Sequence, residues 1–170
     1  MELSDVTIRL AQISDVPLAA AAHIESCTDI YRGMVDEAYL NGEMQQNLHH
    51  IWAAEQLENG DFIVIADDGE RALGLVTVRA GEPAYIDHFH VRPGLRGAGL
   101  GRRMMRLAVE EMRRRGVAAT YLTVLAVNEG AIAFYRRIGG EVGERVTGDL
   151  FGRPSDALVV RWPDISATEI

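Results

Sequence analysis

Lysine is absent from this chain of 170 residues: all 17 basic side chains are arginine. That excludes a Walker-type phosphate loop, which needs a lysine to reach the phosphates, and it excludes Schiff-base or other lysine chemistry. Cysteine is nearly absent as well. With Cys27 alone no internal disulfide can form, and the residue reads as a small, buried, reduced side chain of a cytoplasmic protein rather than a nucleophile. No apolar run approaches the ~18 residues of a membrane span. The opening Met1-Glu2-Leu3-Ser4-Asp5 is acidic and lacks the basic-then-apolar order of a signal peptide, so neither export nor membrane insertion is expected. Repeats, low-complexity tracts and long linkers are missing too, and residues 1–170 read as a single domain. At this length roughly 68–70% of the chain surface is buried on folding, which needs no disulfide or structural metal.

The net charge of −8 is unevenly spread. Between Val91 and Gly116, eight arginines from Arg92 to Arg115 are set against only Glu110 and Glu111, a local charge of +6 that leaves −14 for the remainder. One basic patch in an acidic background suits a small polyanion better than a nucleic-acid backbone, which the remaining surface would repel. A solvated arginine face on a helix accounts for Arg113 to Arg115 but not for Arg96.

Val6 to Leu10 alternates as a strand, and Ser14-Asp15 before Pro17 supplies the acceptors and fixed backbone angle that open a helix through the alanine-rich residues 18 to 27. A second long helix is expected through Tyr39, Leu40, Leu48, Ile51 and Trp52, ending before Asn59-Gly60-Asp61. Phe62 to Ala66 and Leu73 to Arg79 read as a hairpin across Asp67-Asp68-Gly69-Glu70, with a third strand at Ala84 to Val91. Leu100, Met104, Ala108 and Met112 then mark a helix, Ala118 to Val127 a buried strand and Gly130 to Ile138 a helix. Glu141 to Val146 and Ala157 to Trp162 complete the chain as strands around a loop with Gly148, Gly152 and Pro154. The pattern is that of a mixed α/β domain.

The chemistry is most legible where the strand ending at Val91 runs through Arg92-Pro93-Gly94-Leu95-Arg96-Gly97-Ala98-Gly99-Leu100-Gly101-Arg102-Arg103 into a helix. Glycines at 97, 99 and 101 remove Cβ atoms, so successive N–H groups and the positive helix end can converge on an anion. The third glycine comes one position early for a dinucleotide-binding fingerprint.

At these residues the chain resembles the GNAT superfamily of acyl-CoA-dependent N-acyltransferases, whose Arg/Gln-x-x-Gly-x-Gly/Ala signature is matched by Arg96-x-x-Gly99-x-Gly101. Tyr85 to Pro93 is similar to the family's splayed fourth strand, and Asn128-x-x-Ala131-x-x-Phe134-Tyr135-x-x-x-Gly139 to its second cofactor motif. The resemblance implies a mostly antiparallel central sheet with splayed fourth and fifth strands, and elements in the order strand, two helices, three strands, helix, strand, helix, two strands. It implies acetyl-CoA as cosubstrate. The main chain of Phe89, His90 and Val91 would take the pantetheine arm, Arg96, Gly97, Ala98, Gly99, Leu100 and Gly101 the pyrophosphate, and Arg102 the rim. Asn128, Phe134 and Tyr135 would meet the cofactor from the last helix.

An alkyl amine is protonated at neutral pH and must lose a proton before attacking a thioester. By the resemblance Tyr135 would protonate the departing thiolate. For the base, the family often has Glu where this chain has Tyr85; Asp87, the one carboxylate in the strand, is the first choice, placed by alternation on the face of Tyr85 and Phe89. His88 and His90 then fall on the opposite face as helix-facing or core imidazoles, and with no third ligand at a telling spacing no metal is expected. Gly140 replaces a usual aromatic, which is expected to loosen the following strand.

By the resemblance the acceptor site would be shaped by Tyr31 to Asp36 and Thr147 to Pro154, and the acidic remainder of the chain favours a cationic amine, either a small molecule or a peptide terminus. Two other readings stay open: a non-catalytic acyl-CoA-binding or sensor module, and a protein N-terminal acetyltransferase. Homodimers are common in the family, but nothing in the sequence establishes one.

Overall fold

Residues 62–66 and 72–78 are apolar almost without interruption, which a strand tolerates only when both its faces are covered. They form the centre of a seven-stranded sheet in the computed structural model, which describes residues 5–54, 57 and 60–170. Met1 to Ser4 of the acidic opening, and Asn59 of the expected turn, lie outside the described residues. The strands are β1 (Thr7–Leu10), β2 (Phe62–Asp67), β3 (Ala72–Arg79), β4 (Ala84–Val91), β5 (Thr120–Leu125), β6 (Glu141–Leu150) and β7 (Arg153–Trp162). The helices are α1 (Val16–Ile30), α2 (Glu37–Asn41), α3 (Glu43–Ala54), α4 (Leu100–Arg114) and α5 (Glu129–Arg137). Spatial order is β1-β2-β3-β4-β5-β7-β6, antiparallel throughout except for β4 against β5.

Alternation divides each central strand between two cores. Phe62, Val64, Ala66, Val76 and Val78 pack with Leu100, Met104, Met105, Ala108 and Met112 of α4 and Ile132, Tyr135 and Ile138 of the α5 region. Ile63, Ile65, Ala72 and Leu75 pack on the other face with Ala19 and Ala22 of α1 and Trp52 of α3. The four-residue spacing of the α4 positions is what one buried helix face requires.

Several expectations are corrected. The second helix is two, because the chain breaks at Gly42, where a Cβ would stand 2.8 Å from the Ala38 carbonyl oxygen. Asp36 caps α2 by accepting from Tyr39 N–H at 2.8 Å. Asp15 does not cap α1: its carboxylate accepts from Arg9 at 2.7 and 3.0 Å and from Gln12 N–H at 2.7 Å. The strand expected at Ala118 to Val127 is confined to β5. The last hairpin is longer than expected, with Gly148 and Pro154 inside β6 and β7 and only Phe151-Gly152 turning, both at positive φ (51° and 91°). After Gly140, β6 pairs with β7 at Glu141 and Val142 and then shifts register before Arg145. Trp162 of β7 fills the space beside Gly140, fully buried and donating its indole N–H to the Ile138 carbonyl at 3.0 Å.

This packing is open to two tests. A Cβ at Gly140 would lie 2.7 Å from Val160 Cγ1, 2.8 Å from Trp162 Cζ2 and 2.9 Å from the Tyr135 carbonyl oxygen, so Gly140→Ala should cost about 1–3 kcal/mol in denaturant unfolding. Glu111 is buried and bonded by Arg114 at 2.6 and 2.7 Å and by Arg115 at 2.6 Å, and Arg114 first, then Arg115, hold its carboxyl down from 4.5 to about 2. A depressed carboxyl contributes stability above its unfolded pKa and loses it as pH falls through the folded one. Glu111→Gln should therefore be less stable than wild type at pH 7, and the difference should close between pH 4.5 and about 2.

Candidate active site

β4 and β5 pair only at Ala84↔Thr120 and Tyr85↔Tyr121, after which they part. The gap leaves one edge of β4 open from Asp87 to Val91. Arg92 N–H donates to the Leu73 carbonyl on β3 at 2.9 Å, so by alternation His88 and His90 turn their main chain toward β3 while Phe89 and Val91 turn theirs toward the gap. Ser26 Oγ of α1 donates to the Val91 carbonyl at 2.9 Å.

A bulge sets which side chains face which way. Thr77 pairs with His88 and Val78 with Ile86, so Asp87 is the extra residue. Before it Ala84 and Ile86 enter the α4 core, and after it Phe89 and Val91 do. This corrects the expected grouping: Asp87 does not share the face of Phe89 but stands beside His88, with its Oδ2 3.7 Å from His88 Nε2 and 2.9 Å from Arg79 Nε. His88 and His90 are core imidazoles as expected, packed on His23 of α1 with ring centroids 4.3 and 4.4 Å away. Two cavities flank this region, and the His90 side chain borders only the smaller of them.

The larger, of about 620 Å³, lies over the glycine-rich junction and the open edge of β4. Phe89, Val91, Arg96, Gly97, Gly99, Gly101, Arg102, Asn128, Phe134 and Tyr135 all line it. Gly97 and Gly99 have φ of 85° and 80°, with nothing within 4 Å of a Cβ position, so their main chain is exposed to whatever enters. Gly101 is needed for close packing, since a Cβ there would be 3.3 Å from Phe134 and 3.6 Å from Phe89. Leu100 is buried in the core and offers only its main chain, and neither it nor Ala98 lines the cavity. Arg96 is held by Asp29 of α1 at 2.7 Å. Asn128 caps α5, its Oδ1 accepting from Ala131 N–H at 3.2 Å, and borders both cavities.

The second cavity, about 320 Å³, opens on the other side of Tyr135. Tyr31, Tyr85, Asp87, Asp149, Phe151 and Ser155 are among its lining residues, and among the described residues no arginine lines it. The sequence marks the two segments that supply Tyr31, Asp149 and Phe151 without choosing these residues; Asp149 is the one carboxylate between Thr147 and Pro154, and that is the signal by which it could be singled out. The hairpin tip is fastened over this cavity: Tyr39 Oη donates to the Leu150 carbonyl, Asn47 Nδ2 to the Phe151 carbonyl at 2.6 Å, and Arg153 pairs with Asp36. Tyr135 lines both cavities, its ring packed against Phe89, Phe134 and Trp162. Burial pushes its phenol well above the ordinary range, keeping it protonated.

Residues 24–140 match the acetyltransferase (GNAT) family, and the chain belongs to that family of acyltransferases. A streptothricin acetyltransferase of Streptomyces lavendulae is 37% identical over 87 residues, 50% of this chain and 46% of its own. The [ribosomal protein bS18]-alanine N-acetyltransferase of Escherichia coli is 28% identical over 140 residues, 78% of this chain and 79% of its own. The chain spans about half the length of the first curated relatives it matches. The fold is that of the PaiA N-acetyltransferase of Thermoplasma acidophilum, solved with coenzyme A, at a TM-score of 0.69 and 16% identity over 92% of this chain and 99% of that one. Among the described residues no helix is long and apolar enough to cross a membrane.

Proposed function

We propose that the protein moves an acetyl group from acetyl-CoA to a primary amine by direct attack in a ternary complex. The observation that carries this reading is the meeting of two cavities at the Tyr135 ring, one lined by Arg96, Arg102, Arg137 and exposed glycine main chain with Asp29 as its one carboxylate, the other by Asp87 and Asp149 with no arginine among the described lining residues. Acetyl-CoA fits the first. An extended amide arm needs a strand edge with open main-chain groups, as at Phe89 and the Val91 N–H, and a pyrophosphate needs N–H donors with no Cβ in the way, as at Gly97 and Gly99. Arg96 and Arg102 add charge, and Asn128 orients from the start of α5.

Asp87 is the proposed base. It lies in the second cavity with Arg79 on one oxygen, where it can accept the ammonium proton directly or through water. Tyr135 stands where both cavities are within its reach, and its phenol O–H is the group proposed to protonate the departing thiolate. The cationic acceptor is supported by Asp149, which lines a cavity where no arginine is a lining residue among the described residues, while the charge of Asp87 there is shared with Arg79. The streptothricin acetyltransferase and the bS18-alanine N-acetyltransferase are named for a small molecule and a protein. The hairpin tip fastened to α2 and α3 favours the small molecule.

Tyr135→Phe should lower kcat by about 10²-fold or more while acetyl-CoA affinity by calorimetry stays within severalfold. A binding or sensor module would show no turnover for that change to remove. Asp149→Asn keeps an oxygen for the Gly152 N–H that Asp149 now bonds at 3.1 and 3.2 Å, and should raise KM for a cationic amine with little change in kcat. Added salt should lower wild-type kcat/KM for the same amine, and a salt-insensitive value would contradict electrostatic selection.

A further inference from the structure

α1 and β4 meet over side chains that the proposed reaction does not use. His23 and Cys27 are one helical turn apart on α1, and His90 faces them from β4; all three are buried. Cys27 Sγ is 3.9 Å from His90 Nε2, and one donor atom from each of the three residues lies within 4.8 Å of the others. His23 Nε2 and His90 Nδ1 are buried with no hydrogen-bond partner. His90 presents its other nitrogen, Nε2, to Cys27, so among the described residues it is the His23 Nε2 orphan that points to an occupant here, since a buried ring nitrogen ordinarily bonds to protein, water or an ion. A thiolate with two imidazoles is the donor set of soft and borderline cations, and three donors around such an ion are about 3.4–3.9 Å apart for bonds of ~2.0–2.3 Å. The Cys27–His90 pair already meets that spacing.

We propose that His23, Cys27 and His90 bind one d10 cation, Zn2+ or Cu+, between α1 and β4. Binding is accompanied by loss of the Cys27 thiol proton to solvent. It also changes a neighbour. Trp52 Nε1 donates to His23 Nδ1 at 2.9 Å, so the neutral ring carries its proton on Nε2. Ligation through Nε2 moves that proton to Nδ1, which becomes a donor and releases the Trp52 indole. The ion ties α1 to β4 beside Ser26 and Asp29, which hold the Val91 carbonyl and Arg96. This inference stands independently of the acetyl-transfer reading.

The test is titration of metal-free, reduced protein with Co2+ as the spectroscopic substitute for Zn2+, and separately with Cu+ under anaerobic conditions. The expected result is saturation at one equivalent per chain with a thiolate-to-metal absorption band, a raised Tm, and a shifted Trp52 indole N–H resonance while that of Trp162, bonded to Ile138, stays in place. Cys27→Ser should abolish the band, whereas replacing the exposed His49 and His50 of α3 with Asn should leave it intact. The two arms decide which ion is preferred. No saturable binding of either ion overturns the proposal, as does binding that survives Cys27→Ser but is lost with His49 and His50. If Cys27→Ser fails to fold, an unmoved Trp52 resonance in the wild-type protein at saturating metal overturns it equally.

Discussion

The parting of β4 from β5 after two residue pairs is the constraint on which the rest of this molecule depends. A parallel pair that continued would satisfy the main chain of Phe89 and the N–H of Val91, whose carbonyl Ser26 already holds, and close the sheet. Because the strands diverge, the polar groups of an inner strand are left open in the middle of a domain, a state a folded protein keeps only where something else pairs with them. The bulge at Asp87 adds to this by turning a carboxylate out of the alternation that would otherwise group it with Phe89. Both cavities, and the place of Tyr135 between them, arise from these two departures from regular pairing.

Around the gap, the surrounding elements are braced rather than loosely apposed. α1 is fixed to β4 and the glycine-rich junction by Ser26 on the Val91 carbonyl, Asp29 on Arg96, and the ion pair of Glu25 with Arg92. On the far side Tyr39, Asn47 and Asp36 hold the β6–β7 tip. Exposed ion pairs such as Asp29–Arg96 contribute little to stability, about 0–1 kcal/mol. Their consequence is positional: they fix the walls of a site whose floor is a strand open along one edge.

The part of this arrangement legible in the sequence is local. Arg96-x-x-Gly99-x-Gly101 and the bounds of β4 can be read because glycine spacing and period-two alternation are properties of neighbouring residues. The bulge is not readable, since the alternation of residue types runs through Asp87 unbroken while the backbone changes face beneath it. The break at Gly42 is hidden for a similar reason: Tyr39, Leu40, Leu48 and Trp52 keep helical spacing across it. His23 and Cys27 look like one helix face and His88-x-His90 like half of a site, and only the packing of α1 on β4 brings them together. Likewise Asp149 and Phe151 reach the second cavity through a hairpin whose tight turn, with Phe151 at positive φ, nothing in the residue pattern announces.

The central claim, that the open edge of β4 and the glycine-rich junction hold an acyl donor against a separate amine site, is tested most directly by calorimetric titration with acetyl-CoA, with thiol release then measured over a panel of amines. The account predicts saturable binding at one site per chain and release that depends on a cationic primary amine. Absence of acetyl-CoA binding would contradict the assignment of the Arg96 to Gly101 loop, and binding without release for any amine would contradict the assignment of the second cavity.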